Sequence, residues 1–163
     1  MATLKEEIGK RNAFSSPEEE AYLSLLRTVS VLEAPFAHLF KEHGLSEATY
    51  NILRILRGHA QADGSGPHGI PCQVIGDELV SRLPDVTRLV DRLERAGLVK
   101  RSRTADDRRV VLVGITRKGL ATLSALDRPV AELHKTVLKG LSRSEVAELV
   151  ALLAKARGGQ KQA

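Results

Sequence analysis

The residues best suited to a chemical role form a basic cluster in the second half of the chain. Between Ser81 and Arg109, nine basic residues stand against five acidic ones, so this segment carries +4 of the net charge of +5. The basic members are Arg82, Arg88, Arg92, Arg95, Lys100, Arg101, Arg103, Arg108 and Arg109. Concentrated positive charge is typical of a phosphate-binding surface. Charge alone leaves open a solvated surface of mixed sign.

Part of this cluster falls on a predicted helix from Pro84 to Ala96, which Gly97 would end as a C-cap. Its apolar positions are Val86, Leu89, Val90 and Leu93, and the opposite face carries Asp85, Arg88, Asp91, Arg92 and Arg95, with Thr87 at its flank. A polar face of this kind can enter the major groove, where arginine binds guanine and threonine contacts a base. The alternative is an ordinary exposed helix in which Asp91 pairs with Arg88 or Arg92.

A shorter helix is predicted from Pro71 to Leu79, before the helix Pro84–Ala96 in the chain. Two helices that cross at close quarters need a small residue at the contact, and Gly76 can serve there. We expect the helix Pro84–Ala96 to read the DNA sequence. Its first turns would lie at the base edges, and Arg92 would lie nearer to phosphate. Together with the wing considered next, the predicted DNA-contacting residues are Ser81, Arg82, Pro84, Asp85, Thr87, Arg88, Arg92, Arg103, Arg108 and Arg109.

A β-hairpin is predicted directly after the basic helix. Leu98-Val99 can pair with the apolar run Val110 to Val113, and the polar stretch SRTADD lies between them. Arginines at the tip of such a wing can reach a neighbouring minor groove. Asp107 is expected to orient an arginine through a charge-assisted hydrogen bond, although aspartate also simply favours turns.

Longer helices are predicted on both sides. Ser16, Pro17 and Glu19 form a helix start, and that helix should run to about His43, kinked at Pro35. Another follows Ser46 and ends near Gly58, before a loop over residues 59–70. A long helix is expected from Thr116 to about Lys139 with a bend at Pro129, and the box Ser142–Glu145 opens a last one to about Arg157.

The segment Thr87 to Gly119, TRLVDRLERAGLVKRSRTADDRRVVLVGITRKG, resembles the MarR family of bacterial transcriptional regulators. The similarity rests on the wing pattern Asp107-x-Arg109, on the following apolar strand with Ile115-Thr116, and on the preceding helix. The family often has glycine where this chain has Val80 and an apolar residue at Ser81. We therefore expect the turn before the basic helix to be longer or differently shaped.

The predicted fold is mainly α with a small β-hairpin wing: a winged helix-turn-helix flanked by dimerisation helices. Its predicted parts are an N-terminal dimerisation helix (1–43), the DNA-binding domain (44–116) and C-terminal dimerisation helices (117–163). The resemblance implies a homodimer. Independently, the flanking helices carry many leucines that a DNA-binding part of about 70 residues cannot cover. A twofold dimer presents two reading helices to successive major grooves about 34 Å apart and implies a pseudo-palindromic site.

Other site types find little support in the sequence. The five histidines, His38, His43, His59, His68 and His134, lack an HExxH or CxxC context, and no phosphate-binding glycine loop or nucleophile motif occurs. We therefore expect no metal, no cofactor and no enzymatic activity. Cys72 is the only cysteine and lies near a helix start that could lower its pKa. Redox sensing is nonetheless disfavoured, since the cysteine used by redox-sensing relatives usually lies near the N-terminal helix.

The sequence thus predicts a cytoplasmic, sequence-specific regulator of transcription that binds double-stranded DNA, acts as a repressor and responds to a ligand. No apolar run approaches a membrane span, and the first residues lack a secretory signal. The resemblance suggests an effector between the dimerisation helices and the DNA-binding lobe, with Phe36, Arg27 and Tyr50 as candidate lining residues. The competing function is a helical dimer whose winged domain binds another protein.

Overall fold

The computed structural model describes residues 2–62, 69–81, 85–103 and 111–158. Seven helices and three strands occur within these ranges: α1 Leu4–Glu7, α2 Pro17–Glu42, α3 Glu47–Ala62, β1 Ile70–Pro71, α4 Cys72–Glu78, α5 Val86–Arg95, β2 Val99–Arg103, β3 Val111–Ile115, α6 Arg117–Val137 and α7 Arg143–Gly158. The chain divides into two compact units, residues 1–50 and 51–163. The mainly helical fold with a small β-wing is confirmed.

The first unit contains α1, α2 and the start of α3. Ser16 caps α2, since its hydroxyl accepts from the backbone N–H of Glu19 at 3.2 Å. The Glu19 side chain does not return to Ser16, as a regular capping box would, but accepts from the N–H and hydroxyl of Ser15 and from Lys10. Pro35 lies inside the continuous helix α2. Phe40 is the one residue of α2 that is buried.

The second unit holds the sheet and most of the core. The sheet is antiparallel in the order β1-β3-β2, with Arg101 opposite Val113 and Ile70 also opposite Val113 on the other side. The predicted hairpin is therefore completed by a third strand, β1, where the predicted loop meets the helix predicted from Pro71. Two residues that include a proline give no alternating pattern, and only the pairing with β3 makes them a strand. The fully buried side chains of this unit include Ile52, Leu53, Ile75, Val90, Leu93, Val113, Leu123 and Leu126.

Several predicted helix ends shift in the structure. α3 continues past Gly58 to Ala62, because a single glycine lowers helix stability by only about 1 kcal/mol and does not stop a helix. α5 begins at Val86 rather than at the predicted Pro84, since Asp85 has non-helical backbone, with φ −144° and ψ 66°, and acts as its N-cap. α7 follows Ser142 as predicted, with bonds in both directions between Ser142 and Glu145. Pro129 lies within the continuous helix α6.

Candidate nucleic-acid interface

The candidate reading helix, α5, buries one side and exposes the other. Val90 and Leu93 are 0% and 1% exposed, whereas Val86 and Leu89 are partly covered. These four positions are the apolar face that the sequence predicts. Ile75 of α4 is buried as well, and the two helices pack together. Burial of these side chains holds α5 firmly while its outer surface stays in solvent.

The contact between α4 and α5 does not depend on glycine at position 76. A Cβ built on Gly76 would meet only the Cγ2 atom of Val86, at 3.5 Å, which is ordinary van der Waals contact. A close approach instead occurs at Gly119 in the first turn of α6. A Cβ there would lie 2.3 Å from the carbonyl oxygen of Leu98 and 2.8 Å from Ile115 Cγ1. Gly76 therefore faces α5, as expected, but an alanine would fit there as well.

Asp85 organises the N-terminus of α5. Its carboxylate accepts from the backbone N–H of Arg88 at 3.0 Å, so it satisfies one of the free donors of the first turn. Thr87 and Arg88 follow within that turn and are both exposed. Ser81, in the segment before α5, is exposed too. Asp85, Thr87 and Arg88 thus lie at the N-terminal end of α5, and Ser81 precedes it in the chain.

Three arginines line the outer face of α5. Arg88, Arg92 and Arg95 recur four and three residues apart, which places them on one side of the helix, and all three are exposed. Arg95 donates from Nε to the carbonyl of Asp91 at 3.3 Å. Across the described residues, the side chains of Arg88 and Arg92 have no carboxylate partner. Their positive charge is therefore directed to solvent.

The acidic residues of α5 lie on a different flank, facing β2. Asp91 binds the Nη2 atom of Arg101 at 2.5 Å, and Glu94 binds its Nη1 atom as well as its backbone N–H. The sequence allowed pairing of Asp91 with Arg88 or Arg92, but the structure pairs it with Arg101 of the neighbouring strand. Burial alone would lower the pKa of Arg101, yet its hydrogen bonds to the two carboxylates raise the pKa above the ordinary value.

Arg101 also orients the wing. Side chains of successive strand residues alternate, so Arg103 shares the α5-facing side of β2 with Arg101, whereas Lys100 points to the other side. Nη2 of Arg101 comes within 3.5 Å of the Thr87 carbonyl, near the start of α5. β2 thus runs back along α5 toward its N-terminus. Arg103, exposed at the end of β2, lies on the same side as the exposed first turn of the helix.

The C-terminal end of α5 is tied to α6. Gly97 has a φ of +72°, the left-handed conformation expected of the predicted cap. Lys118 donates from Nζ to the carbonyl of Ala96 at 2.8 Å. The hydroxyl of Thr116 donates to the Gly97 carbonyl at 2.8 Å and accepts from the N–H of Gly119 at 3.1 Å. These bonds satisfy carbonyls that α5 leaves open and fix its direction relative to α6.

The remaining predicted contact residues, Arg82, Pro84, Arg108 and Arg109, lie outside the described residues, as does the orienting residue Asp107. The other six, Ser81, Asp85, Thr87, Arg88, Arg92 and Arg103, lie in the described ranges, and all of them are exposed. Sequence reasoning missed Arg101, Thr116 and Lys118 as residues that hold the site. A signal for Arg101 existed: two acids three residues apart on α5, followed by a cation on the next strand.

The residues considered for other roles have ordinary environments. Desolvation raises the pKa of the Cys72 thiol, so the expected lowering by a helix terminus is wrong. Tyr50 is 5% exposed and stacks on Phe40, with 4.3 Å between the ring centroids. Arg27 pairs with Glu7 at 3.2 Å. In the described part of the chain, no group of three or more metal-ligating side chains could hold an ion.

This arrangement of α3, α4, α5 and the wing is found in known proteins. The model of the MarR family matches residues 45–111. A MarR transcription factor from Planctomyces limnophilus is 38% identical, with a TM-score of 0.65, and the match spans 87% of this chain and 98% of that one. The chain belongs to the MarR family. The resemblance inferred from Thr87 to Gly119 is thereby confirmed.

Two further solved structures share the fold. A mutant MarR from E. coli in complex with operator DNA is 24% identical over 96% of this chain and 99% of that one, with a TM-score of 0.73. A regulator from Bordetella bronchiseptica, whose DNA binding is regulated by 6-hydroxynicotinic acid, is 22% identical over 85% and 98%, with a TM-score of 0.70. MarR-family relatives are transcription factors, which supports a regulatory rather than an enzymatic role. No helix in the described ranges combines the length and apolarity that crossing a bilayer requires.

Proposed function

We propose that this MarR-family chain is a homodimeric, ligand-responsive repressor that binds a pseudo-palindromic site in duplex DNA. The observation that carries the proposal is the surface of α5. Arg88 and Arg92 are exposed on a helix whose other side is buried, while the helix's own acids are engaged by Arg101. Cations presented in this way suit the major groove and its phosphates.

Each element has a distinct proposed role at the DNA. The first turn of α5, with Thr87 and Arg88, contacts base edges, because N-terminal residues of a reading helix reach furthest into the groove. Arg92, one turn deeper, contacts phosphate. The wing places Arg103 toward the adjacent minor groove. The proposed contacts also include Ser81, Arg82, Pro84, Asp85, Arg108 and Arg109, with Asp107 orienting an arginine.

The proposed dimer uses residues 1–43 and 117–163, on either side of the DNA-binding domain 44–116. Large apolar side chains of α2 are exposed in the single chain, with Tyr22 at 63% and Val29 at 59%. In α7, Val150 and Leu152 are 59% and 57% exposed, and the helix has no buried residue. Soluble proteins rarely leave such surfaces in water, so a second copy is the proposed cover.

The response to a ligand is proposed by analogy with the Bordetella regulator and with an organohalide-sensing regulator solved with 2,4-dichlorophenol. A ligand that favours one spacing of the two reading helices would weaken binding to a site of fixed spacing. The expected ligands are small aromatic acids or phenols. Release of a bound duplex by one member of such a panel would support this part of the proposal.

Selection of bound duplexes from a random pool, followed by a salt titration, tests DNA binding. We expect two half-sites about 34 Å apart and an affinity that falls steeply with salt concentration. Arg88→Ala should relax the base preference, whereas Arg109→Ala should weaken binding to all duplex sequences more evenly. Arg54→Ala, at an exposed position of α3 outside the proposed contacts and the proposed dimer segments, is the matched control. If no duplex binds at low salt, the result would favour the competing function, in which the winged domain binds another protein.

Sedimentation tests the dimer separately. Val29→Glu and Val150→Glu each place a charge on a proposed interface and should shift the protein toward monomer. Arg54→Glu, an exposed change on α3 outside the proposed interface, should leave the assembly state unaltered. A monomeric parent protein, or variants that remain fully dimeric, would contradict this part of the proposal.

A further inference from the structure

The proposed recognition helix, α5, carries two carboxylates whose position matters for DNA binding. Asp91 and Glu94 lie on α5 among three arginines, and both remain partly exposed, with side-chain exposures of 46% and 38%. A carboxylate beside the DNA repels phosphate. It can also capture a neighbouring arginine, because residues three or four apart on a helix touch. Asp91 stands three residues after Arg88 and one before Arg92.

Arg101 removes both possibilities at once. Its planar guanidinium has donors directed to two sides, and one side binds Asp91 while the other binds Glu94. The backbone N–H of Arg101 adds a bond to the second oxygen of Glu94 at 3.0 Å. The Arg101 side chain is 24% exposed, so these contacts are partly shielded from water and salt.

Resting on the proposed DNA binding, we propose that Arg101 is a positioning residue that keeps Arg88 and Arg92 available to DNA by occupying both acids of the recognition helix. Arg101 itself faces α5 and need not touch DNA. Without it, Asp91 would be free to pair with Arg88, and the outer face of α5 would lose net positive charge. Nothing in the family match assigns this role to the residue.

The role differs from simple stabilisation in one measurable way. If Arg101 acts by occupying carboxylates, then removing the charge of those carboxylates should make Arg101 dispensable. If Arg101 only holds β2 against α5, replacing the two carboxylates by amides cannot restore DNA binding, because the cation that links the two elements is still missing. A cycle of variants at the three positions separates these roles.

The experiment measures the dissociation constant for a duplex selected from a random pool, at one fixed salt concentration. Arg101→Gln should weaken binding by about ten- to a hundredfold, the range for losing one or two charge-assisted base contacts. Asp91→Asn with Glu94→Gln should bind at least as tightly as the parent. Adding Arg101→Gln to that pair should cost no more than about threefold, which is small against the loss expected for Arg101→Gln alone.

Controls separate the outcomes. Arg54→Gln removes the same charge from an exposed site on α3, outside the proposed contacts and dimer segments, and should change affinity little. Circular dichroism and thermal unfolding report whether each variant folds. Should Arg101→Gln fail to fold, Arg101→Lys serves in the same cycle, because a lysine keeps the charge but cannot bind two carboxylates with a planar fork.

Two results would overturn the proposal: Arg101→Gln binding as tightly as the parent, or the triple variant remaining as weak as Arg101→Gln. The first means that the acids do not compete for the arginines, and the second that Arg101 is only a brace. A parent protein that binds no duplex refutes the proposed function instead, so the two failures are distinguishable.

Discussion

Replacement of Gly119 by alanine tests the close contact between α6 and the Leu98 carbonyl, which follows the end of α5. The added methyl carbon would lie 2.3 Å from the Leu98 carbonyl oxygen, where an unstrained C···O distance is about 3.3 Å. The overlap of about 1 Å falls on backbone, which cannot rotate away. The same carbonyl accepts from the N–H of Thr116 at 3.0 Å, so moving it also weakens the cap of α6.

The expected cost follows from two opposing contributions. Overpacking of this kind costs about 1–3 kcal/mol. Alanine is favoured over glycine in a helix by about 0.5–1 kcal/mol, which offsets part of that cost. Because the overlap falls on backbone, the overpacking cost should be about 2–3 kcal/mol, and we expect Gly119→Ala to lower the free energy of unfolding by about 1–2.5 kcal/mol. Because Lys118 and Thr116 anchor the end of α5 beside this contact, DNA affinity should fall too.

Gly76→Ala is the matched control, since a methyl group there meets only Val86 Cγ2 at 3.5 Å. It should stabilise the protein by about 0.5–1 kcal/mol through helix propensity. Urea unfolding with unchanged m-values measures both variants. A Gly119→Ala protein as stable as the parent would refute the steric argument. A Gly76→Ala protein destabilised by more than about 1 kcal/mol would show that α4 and α5 approach more closely than described.

Three further changes test local features. Asp85→Ala should lower the free energy of unfolding by about 0.5–2 kcal/mol, whereas Asp85→Asn should keep most of the cap; urea unfolding of both variants checks this. Hydrogen bonds from Ser15, with Lys10 adding a further contribution, lower the pKa of Glu19 from 4.5 to about 2. Its contribution to stability should therefore be complete above pH 4.5 and lost as the pH falls through about 2; an NMR titration of the Ser15 amide that moved near pH 4 would contradict this. Arg92→Ala should reduce the slope of log affinity against log salt by about 1, and an unchanged slope would remove the phosphate contact.

Local signals in the sequence were enough for most of the framework. Helix caps depend on residues within a few positions of one another. Most caps could therefore be assigned from neighbouring residues alone: Ser16, Gly97, Thr116 and Ser142. Asp85 is the exception. The apolar face of α5 follows from its own periodicity, and two of its members, Val90 and Leu93, are fully buried. The Asp-x-Arg pattern with the strand that follows was specific enough to indicate the family, which the comparisons confirm.

Partner choice, by contrast, was decided by tertiary structure. Asp91 has arginines beside it in the sequence, yet it binds Arg101 ten residues away, because β2 returns along its flank of α5. β1 exists only because β3 lies beside it. Of Gly119 and Gly76, the crowded glycine is Gly119, since the crowding comes from the Leu98 carbonyl of a distant turn. The sequence specifies each element through short-range bonds and periodicity, but which faces meet depends on the packing of all the elements together.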